Sequence, residues 1–593
     1  MPLFRSAFHG IRIGLVRQSN TPCTVTTSAT DAGSPTVDQP ADSPHGRGEV
    51  ATDGAHSSPT NGTPPDRWGA TTRVCTIDPK GIAMTSGIGD LRTDAWVPVI
   101  SKTRRDDFGL VELFLRAHEI TDLAIGLPPA ASGLRRILTL LAARFTGLDV
   151  PGGKALQWND RRNDILTGSA GFDEQRVLKY FEQYRDRFDL FHPERPWLQD
   201  PRLVDECSGP AGLNRLILDR PAGNNQPWMA HHTDSRPNPI PASEAALHLV
   251  GQLYYGAPGK CTARTVSDRR ESNSTSGPVR GLVSYHPRGN NLFESLVAGI
   301  PFPAGADSTD RAPWESDSLP NPLGIPSPPR GLAGMLTNRF RHAILLVPSP
   351  ARTEVVDAYM TWGWRELHPA AEDPYLIYQT SKKGESYARH ADGNRALWRD
   401  LDGLLLQDIA VAGRRRPAVL DQAVHLPLEV LTRLRVVAHG FDQDRAQVSD
   451  RQWYTATTPA SVLTLLTEPA TAAAVSRMRE TAERLERHLR AALRNVWVAI
   501  NDPSNGKGKP ARTDISVGPW PELAANLYWP EAERVFYRRV HARDFDGAAK
   551  ELRDKALDAY NRVTGQIASR PRAARAIELS RGYIFAAVAS NSK

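Results

Sequence analysis

The chain has 593 residues, 40% of them apolar (AVILMFWYC), with 73 Lys and Arg against 66 Asp and Glu for a net charge of +7. That length exceeds what one hydrophobic core organises, so two or more domains are expected, and the small basic excess permits a polyanionic partner without establishing one. No stretch approaches the roughly 20 apolar residues of a membrane span, and Cys23, Cys75, Cys207 and Cys261 form no C-x-x-C pair, which argues against a disulfide framework or zinc site and fits a reducing cytoplasm.

Residues 1–87 read as a disordered tail. From Gln18 to Thr72 the chain is Ser, Thr, Pro, Gly, Asp and Ala with almost no large apolar side chain, too little to offset ordering entropy. The opening MPLFRSAFHGIRIGLVRQ lacks the uninterrupted apolar core of a secretory signal, and a start at Met84 would remove the tail, so an over-extended gene start is expected.

Ordered sequence begins near Ile88. Asp94 to Ile100 alternates and predicts a strand with Pro98 at a sheet edge. Leu110 to Phe145 shifts to helical clusters broken at Gly126 to Gly133, predicting two helices, and a further helix spans Asp173 to Phe188. Phe191 to Gln199 is an extended, proline-fixed connector. Ser267 to Ser276 is polar and reads as a mobile loop, and strands are expected at Val279 to Tyr285, His342 to Val347 and Leu376 to Thr380, with a turn at Lys382-Lys383-Gly384. A helix at Pro427 to Val437 leads into a loop from Ala438 to Ala446. Residues 88–457 are therefore one large mixed α/β domain.

Beyond Thr458 the pattern is purely helical. Val475, Met478, Ala482, Leu485, Leu489, Ala492 and Val496 recur at spacings of three and four, lining one face of a long helix. Helices at Glu531 to Arg543, Asp546 to Thr564 and Arg572 to Val588, with breaks at Asn501 to Pro519, Pro530 and Pro571, complete a four-helix bundle over 458–593. The fold class is α+β.

Two glycine-rich turns stand out between Ser208 and Arg264. RPAGNNQ at Arg220 to Gln226, with Gly223, Asn224, Asn225 and Gln226, predicts an exposed irregular loop. Gly256-Ala257-Pro258-Gly259-Lys260 follows the apolar run Leu247 to Tyr255 and leads to Arg264. Backbone with so few side chains can approach a phosphate closely, and a cation beside it suits an anion, although most such turns bind nothing. A nucleotide-cradling G-x-x-x-x-G-K-[ST] is excluded, because Tyr254 sits at its first glycine and Cys261 follows the lysine; if Lys260 meets phosphate, it meets a nucleic-acid backbone. Arg477, Arg484, Arg487 and Arg494 form a stripe that could track a phosphate backbone, or a solvated face paired with Glu480, Glu483 and Glu486.

No catalytic constellation survives. H-E-x-x-H, G-x-S-x-G and a helix-opening G-x-G-x-x-G are absent, and the adjacent His231 and His232 have no Cys or carboxylate cluster to complete a metal sphere. Three classes stay open at this level. One is a binding subunit. Another is a metal-independent enzyme on a nucleotide or nucleic acid, with Gly256 to Lys260 holding phosphate and His231 or His232 as general base. The third is a scaffold that binds only protein through its 13 tryptophans.

The order W-V-P-V (Trp96 to Val99), H-P-E-R-P-W-L-Q (His192 to Gln199), the S-G loop from Ser208, the turn at Gly256 to Lys260, H-G-F-D-Q-D-R-A (His439 to Ala446) and E-A-E-R-V-F-Y-R-R (Glu531 to Arg539) resembles the CasA large subunit of type I-E CRISPR Cascade. The resemblance runs from about Ile88 to the C-terminus. It implies a non-catalytic subunit of a surveillance complex with crRNA and with backbone, small and guide-end-binding subunits. In such a complex RNA pairing reads the target, while protein reads a short adjacent motif in double-stranded DNA from the minor groove. It further implies strand opening and R-loop formation, contact with the displaced strand, and recruitment of a helicase-nuclease.

Matched by position, Gly256, Ala257, Pro258, Gly259 and Lys260 fall on the family's glycine loop, with Arg264 beside it. Phe441, Gln443, Asp444, Arg445 and Ala446 fall on its strand-opening wedge, and Gly223 to Gln226 on the loop that holds the guide's 5′ end and the neighbouring backbone subunit. Arg477, Arg484, Arg487 and Arg494 lie in the bundle that closes over target DNA. Two departures stand out. Asp357 occupies the place of the family's groove-reading lysine, leaving that role vacant or to Arg352, and Asp444 and Arg445 stand where the wedge has amides. No metal or cofactor is implied.

Overall fold

The computed structural model describes residues 89–102, 104–222, 231–406, 414–444, 449–501 and 518–589. The expected tail, Gly223 to Gln226, and the wedge residues Arg445 and Ala446 lie outside them.

The first strand forms where alternation predicted it. β1 (Val97–Ser101) buries Val97 and Val99 completely and pairs antiparallel with β2 (Arg105–Phe108) and β3 (Ile120–Leu123), which makes it the central strand, so the expected place of Pro98 at a sheet edge is corrected. The expected pair of helices over Leu110 to Phe145 forms, with different bounds and a strand between them. Leu110–Leu115 is a short helix, β3 follows it, and one helix then runs from Pro128 to Thr146. Gly133 lies inside that helix instead of breaking it. A Cβ there would sit 2.6 Å from Tyr254 Cδ2 and 2.9 Å from Val250 Cγ1, so the glycine lets this helix press against the helix Ala242–Tyr255. Both helices are buried on nearly every face, which erases the amphipathic signal. Helices Ala155–Gly168 and Glu174–Gln183 complete this part, the second capped by the Asp173 carboxylate accepting from Arg176 N–H at 2.8 Å.

The strands group into small antiparallel sheets. β4 (Ile240–Pro241) joins β8 (His342–Pro348) and β9 (Glu354–Trp362) in the order β4-β9-β8, while β5 (Gly259–Val266) and β6 (Arg269–Ser274) form a hairpin. The polar segment expected as a mobile loop is therefore largely a strand, its exposed two-stranded ribbon needing few apolar residues. β7 (Val283–Arg288) is the edge of a second sheet. β10 (Tyr378–Thr380), β11 (Ser386–Ala388) and β12 (Arg414–Arg415) form a third, with Gly384 at φ +84 in the predicted turn. β13 (Arg435–Asp444) lies between β7 and β14 (Ser449–Thr457). This overturns the predicted helix to Val437 and the loop after it: only Leu428–Arg433 is helical, and Phe441 to Asp444 are strand residues.

The C-terminal region is helical, in four long helices: Pro469–Asn501, Trp520–Ala542, Ala548–Thr564 and Pro571–Ala589. All seven apolar residues predicted to line the first of them are buried. Pro530 does not interrupt the second helix as expected; Tyr528, Ala532, Val535 and Phe536 are buried around it, which outweighs one lost backbone hydrogen bond. Tyr528 Oη donates to the Ala482 carbonyl (3.1 Å) and Tyr560 Oη to that of Ile577 (2.7 Å). A seam of aromatic rings and ion pairs joins these helices to the mixed region. Trp398 is fully buried, with ring centroids 5.8 Å from Trp529 and 4.6 Å from Phe536. Arg399 lies 3.8 Å over the Trp529 ring, and Glu483 accepts from Arg395 (2.7 Å) and Arg399 (2.8 Å).

Candidate nucleic-acid interface

The helix Ala242–Tyr255 stops at Gly256, whose N–H donates to the Gln252 carbonyl and whose carbonyl accepts from Gly277 N–H. A Cβ at Gly256 would meet Gln252 O at 2.5 Å and His342 Cε1 at 2.7 Å, so backbone and ring leave no room for any other residue. His342 Nε2–H donates to the Ala257 carbonyl at 3.0 Å, fixing the loop from beneath. Gly259, at φ +120, turns the chain into β5. Lys260 is exposed opposite Asn273 of β6, and its carbonyl accepts from the Arg215 guanidinium.

The structure brings this loop together with the strand expected to carry the wedge. Tyr255 packs edge-on against Phe441 (5.7 Å) and Trp453 (5.2 Å), which are cross-strand partners 4.8 Å apart. Arg280 donates to the Tyr255 carbonyl and lies 5.6 Å over the Phe441 ring. Gly281, at φ +73, would place a Cβ 2.6 Å from Gln443 Oε1, so a side chain there would displace the amide. Glycine loop and hairpin thus share one aromatic anchor. Tyr255, Arg280, His342 and Trp453 were missed from sequence; only the alternation around Trp453 offered a signal.

Other expected site residues stand elsewhere. Arg264 is fully buried, donating to Asp200 Oδ2 (2.8 Å), Glu206 Oε2 (2.7 Å) and the Trp362 carbonyl (3.1 Å), so it is an internal strut and cannot meet DNA. The pairing of β5 with β6 shifts register between Lys260 and Arg264, which separates their environments. Arg352 holds Asp189 at 2.9 Å in the turn joining β8 to β9. The opposite end of that hairpin carries His342 against Gly256, so nine residues of β9 put Arg352 on the order of 30 Å from the loop. Arg477, Arg487 and Arg494 are exposed and have no ion-pair partner among the described residues, whereas Arg484 donates to the Ala587 carbonyl (2.7 Å) and serves helix packing. His231 is exposed and His232 half-buried, and among the described residues no cluster of three or more His, Cys, Asp or Glu could hold a metal ion.

Several histidines at this site are kept neutral by burial. Burial pushes His342 down to about 4 and His439 to about 3, each lowered further by nearby arginines, and moves His286 well below its ordinary value. In the unfolded chain the same groups titrate near 6.5. Below that pH the unfolded chain therefore binds protons that the folded chain excludes, and stability falls as pH drops from about 6.5 toward 4, by on the order of 1.4 kcal/mol per pH unit for each such histidine. Urea unfolding at stepped pH is expected to show that decline, with a shallower slope for His439→Gln; an unchanged slope would contradict it.

The family model described as CRISPR-associated protein Cse1 matches residues 90–570. A CasA/Cse1 protein of Thermus thermophilus is 27% identical over 494 residues, covering 79% of this chain and 91% of that protein. A chain of a solved CRISPR RNA-guided surveillance complex is 44% identical, with a TM-score of 0.75 over 84% of this chain and 99% of its own. The crystal structure of Thermobifida fusca Cse1, 18% identical, shares the fold with a TM-score of 0.67 over 85% of this chain and 98% of its own. No helix among the described residues is long and apolar enough to cross a membrane.

Proposed function

This chain belongs to the CRISPR-associated protein Cse1 family, and from that premise we propose that it is the non-catalytic large subunit of a cytoplasmic RNA-guided surveillance complex, recognising a short motif beside the target in double-stranded DNA. Its partners in this reading are crRNA, the other Cascade subunits, target duplex, displaced strand and a recruited helicase-nuclease. The mixed region to Thr457 carries the recognition loops. The helices from Thr458 form a four-helix bundle that closes over DNA with Arg477, Arg487 and Arg494.

The observation that carries this reading is the shared anchor of Tyr255, Phe441, Trp453 and Arg280. A bare backbone at Gly256 to Gly259 suits entry into a minor groove whose hydrogen-bond code is degenerate, so close approach and groove shape would do the discriminating. Lys260 supplies a cation beside it. The hairpin rooted on the same aromatics holds Phe441 to Asp444 beside the loop, so that seating the motif and parting the first base pair would become one event.

The test uses the complex assembled with its other subunits and crRNA, binding duplex targets with every flanking trinucleotide. Affinity is expected to depend on the flank. Lys260→Ala should weaken the best flank by roughly ten- to a hundredfold, the worth of a charge-assisted hydrogen bond of about 1.5–3 kcal/mol. Arg445→Ala should slow strand opening. Flank-independent binding, or cleavage of nucleic acid by the single chain, would replace this reading with the enzyme.

A further inference from the structure

A cavity of about 700 Å3 lies where residues 192–199, the proline-rich loop over 301–330 and the start of β8 come together. That volume falls in the range of protein ligand sites. Its floor is apolar, with Leu253 and Ile344 buried and Pro196 and Leu198 beside them. Leu198 holds a left-handed φ of +56, a conformation that leucine adopts rarely and that persists only where its neighbours over-determine it.

The charge left over at this cavity has one sign. Arg187 lines it with a side chain that forms no hydrogen bond or ion pair among the described residues, and its Nη1 is buried. Arg195, also in the lining, bonds only the carbonyls of Asp317 (2.6 Å) and Ser316 (2.7 Å). The two carboxylates of the lining are already committed. Asp200 accepts from Arg202 and Arg264, and the two oxygens of Asp310 accept from the N–H groups of Ala333 and Gly334. Burial and then the neighbouring Arg187 hold Arg195 below the ordinary arginine value. An incoming carboxylate would relieve both guanidiniums.

The rim says what kind of molecule carries that carboxylate. Ile325 is 83% exposed and Leu367 72%, more than any other large apolar side chain among the described residues. They stand on two loops joined by Arg365 N–H donating to the Pro322 carbonyl (3.0 Å), and both loops line the cavity, one through Pro326 and Ser327 and the other through Gly363 and Trp364. A small molecule inside the cavity would leave Ile325 and Leu367 in water, and an oligonucleotide would set its phosphates against them. A polypeptide entering between the loops covers both. We propose that the cavity and its rim dock an extended acidic segment of a partner protein, which inserts one apolar side chain toward Leu253 and Ile344 and sets the flanking carboxylates against Arg187 and Arg195. The site does not depend on how the glycine loop reads DNA, so it is tested without DNA.

The experiment titrates the assembled complex, with crRNA, against the fluorescein-labelled peptide Asp-Glu-Phe-Asp-Glu and follows anisotropy. It compares the native chain with Arg187→Gln, which breaks no bond within the chain, and with Ile325→Ser combined with Leu367→Ser, which changes only exposed side chains. Saturable binding is expected, weaker by about tenfold in each variant at an unchanged melting temperature of the complex. The peptides Asn-Gln-Phe-Asn-Gln and Asp-Glu-Ala-Asp-Glu should each bind at least about tenfold less tightly, and added salt should weaken the acidic peptide. No saturation by about 1 mM, or an affinity indifferent to both variants, overturns the docking site. So does phenylpropionate competing as tightly as the peptide while the rim variant has no effect, since the cavity would then hold a small carboxylate. Displacement of the peptide by oligothymidylate, with the same dependence on Arg187, would give the cavity to nucleic acid instead and overturn it too.

Discussion

Arg264→Ala is expected to be the most destabilising single change in the mixed region, costing about 3–5 kcal/mol, because it leaves Asp200 and Glu206 beside a fully buried site with a cation removed from between them. The guanidinium also lies 5.2 Å over the Trp362 ring and bonds the Trp362 carbonyl, so the edge of β9 would lose its anchor as well. Urea unfolding reads the effect directly. If unpaired charge is the cause, Asp200→Asn and Glu206→Gln added to Arg264→Ala should recover much of the loss, although Arg202 also leans on Asp200 at 2.8 Å and would be freed. A cost below about 1 kcal/mol would mean that the site rehydrates and that its burial is not what holds β5 to β9.

The second large effect is expected at Gly259, and it is functional. Its φ of +120 is closed to residues with a Cβ at a cost on the order of 1–3 kcal/mol. No heavy atom lies within 4 Å of where that Cβ would go, so Gly259→Ala measures the backbone alone. Gly259→Asp adds a negative charge next to Lys260. In the assembled complex Gly259→Ala should reduce affinity for the best flank about tenfold, and Gly259→Asp by at least another factor of ten at low salt, with the difference between them shrinking as salt rises. Equal affinities for the native chain and Gly259→Asp, in folded complexes, would remove the loop from the interface.

Much of the architecture was readable because period and burial agreed. The strand at Val97, the helix capped by Asp173 and the long helix from Pro469 each bury one face and expose another. The failures share a cause. β13 carries Val436, Val437 and Ala438 in the middle of its sheet, all buried, and a strand hidden on both faces has the same apolar run as a buried helix. Arg269–Ser274 fails in the opposite sense, since a ribbon with nothing to bury looks like a loop. For the candidate site, motif order located the loop and hairpin, but sequence proximity misled at Arg264, where a shifted register turns the side chain inward. The contacts of Tyr255 with Phe441 and Trp453 span nearly 200 residues and leave no local pattern to find.

The seam around Trp398 has a consequence for how the chain is made. Its aromatic partner Phe536 follows about 140 residues later, and the carboxylate that answers Arg395 and Arg399 belongs to Glu483. At a synthesis rate of roughly 5–20 residues per second, the ribosome delivers Phe536 about 7–28 s after Trp398. Through that interval a large indole waits without the aromatic surface that will cover it, while Arg395 already has Asp400 as a partner. The nascent mixed region is thus most adhesive just before its last helices emerge, and its yield in the cell depends on what shields Trp398 until then.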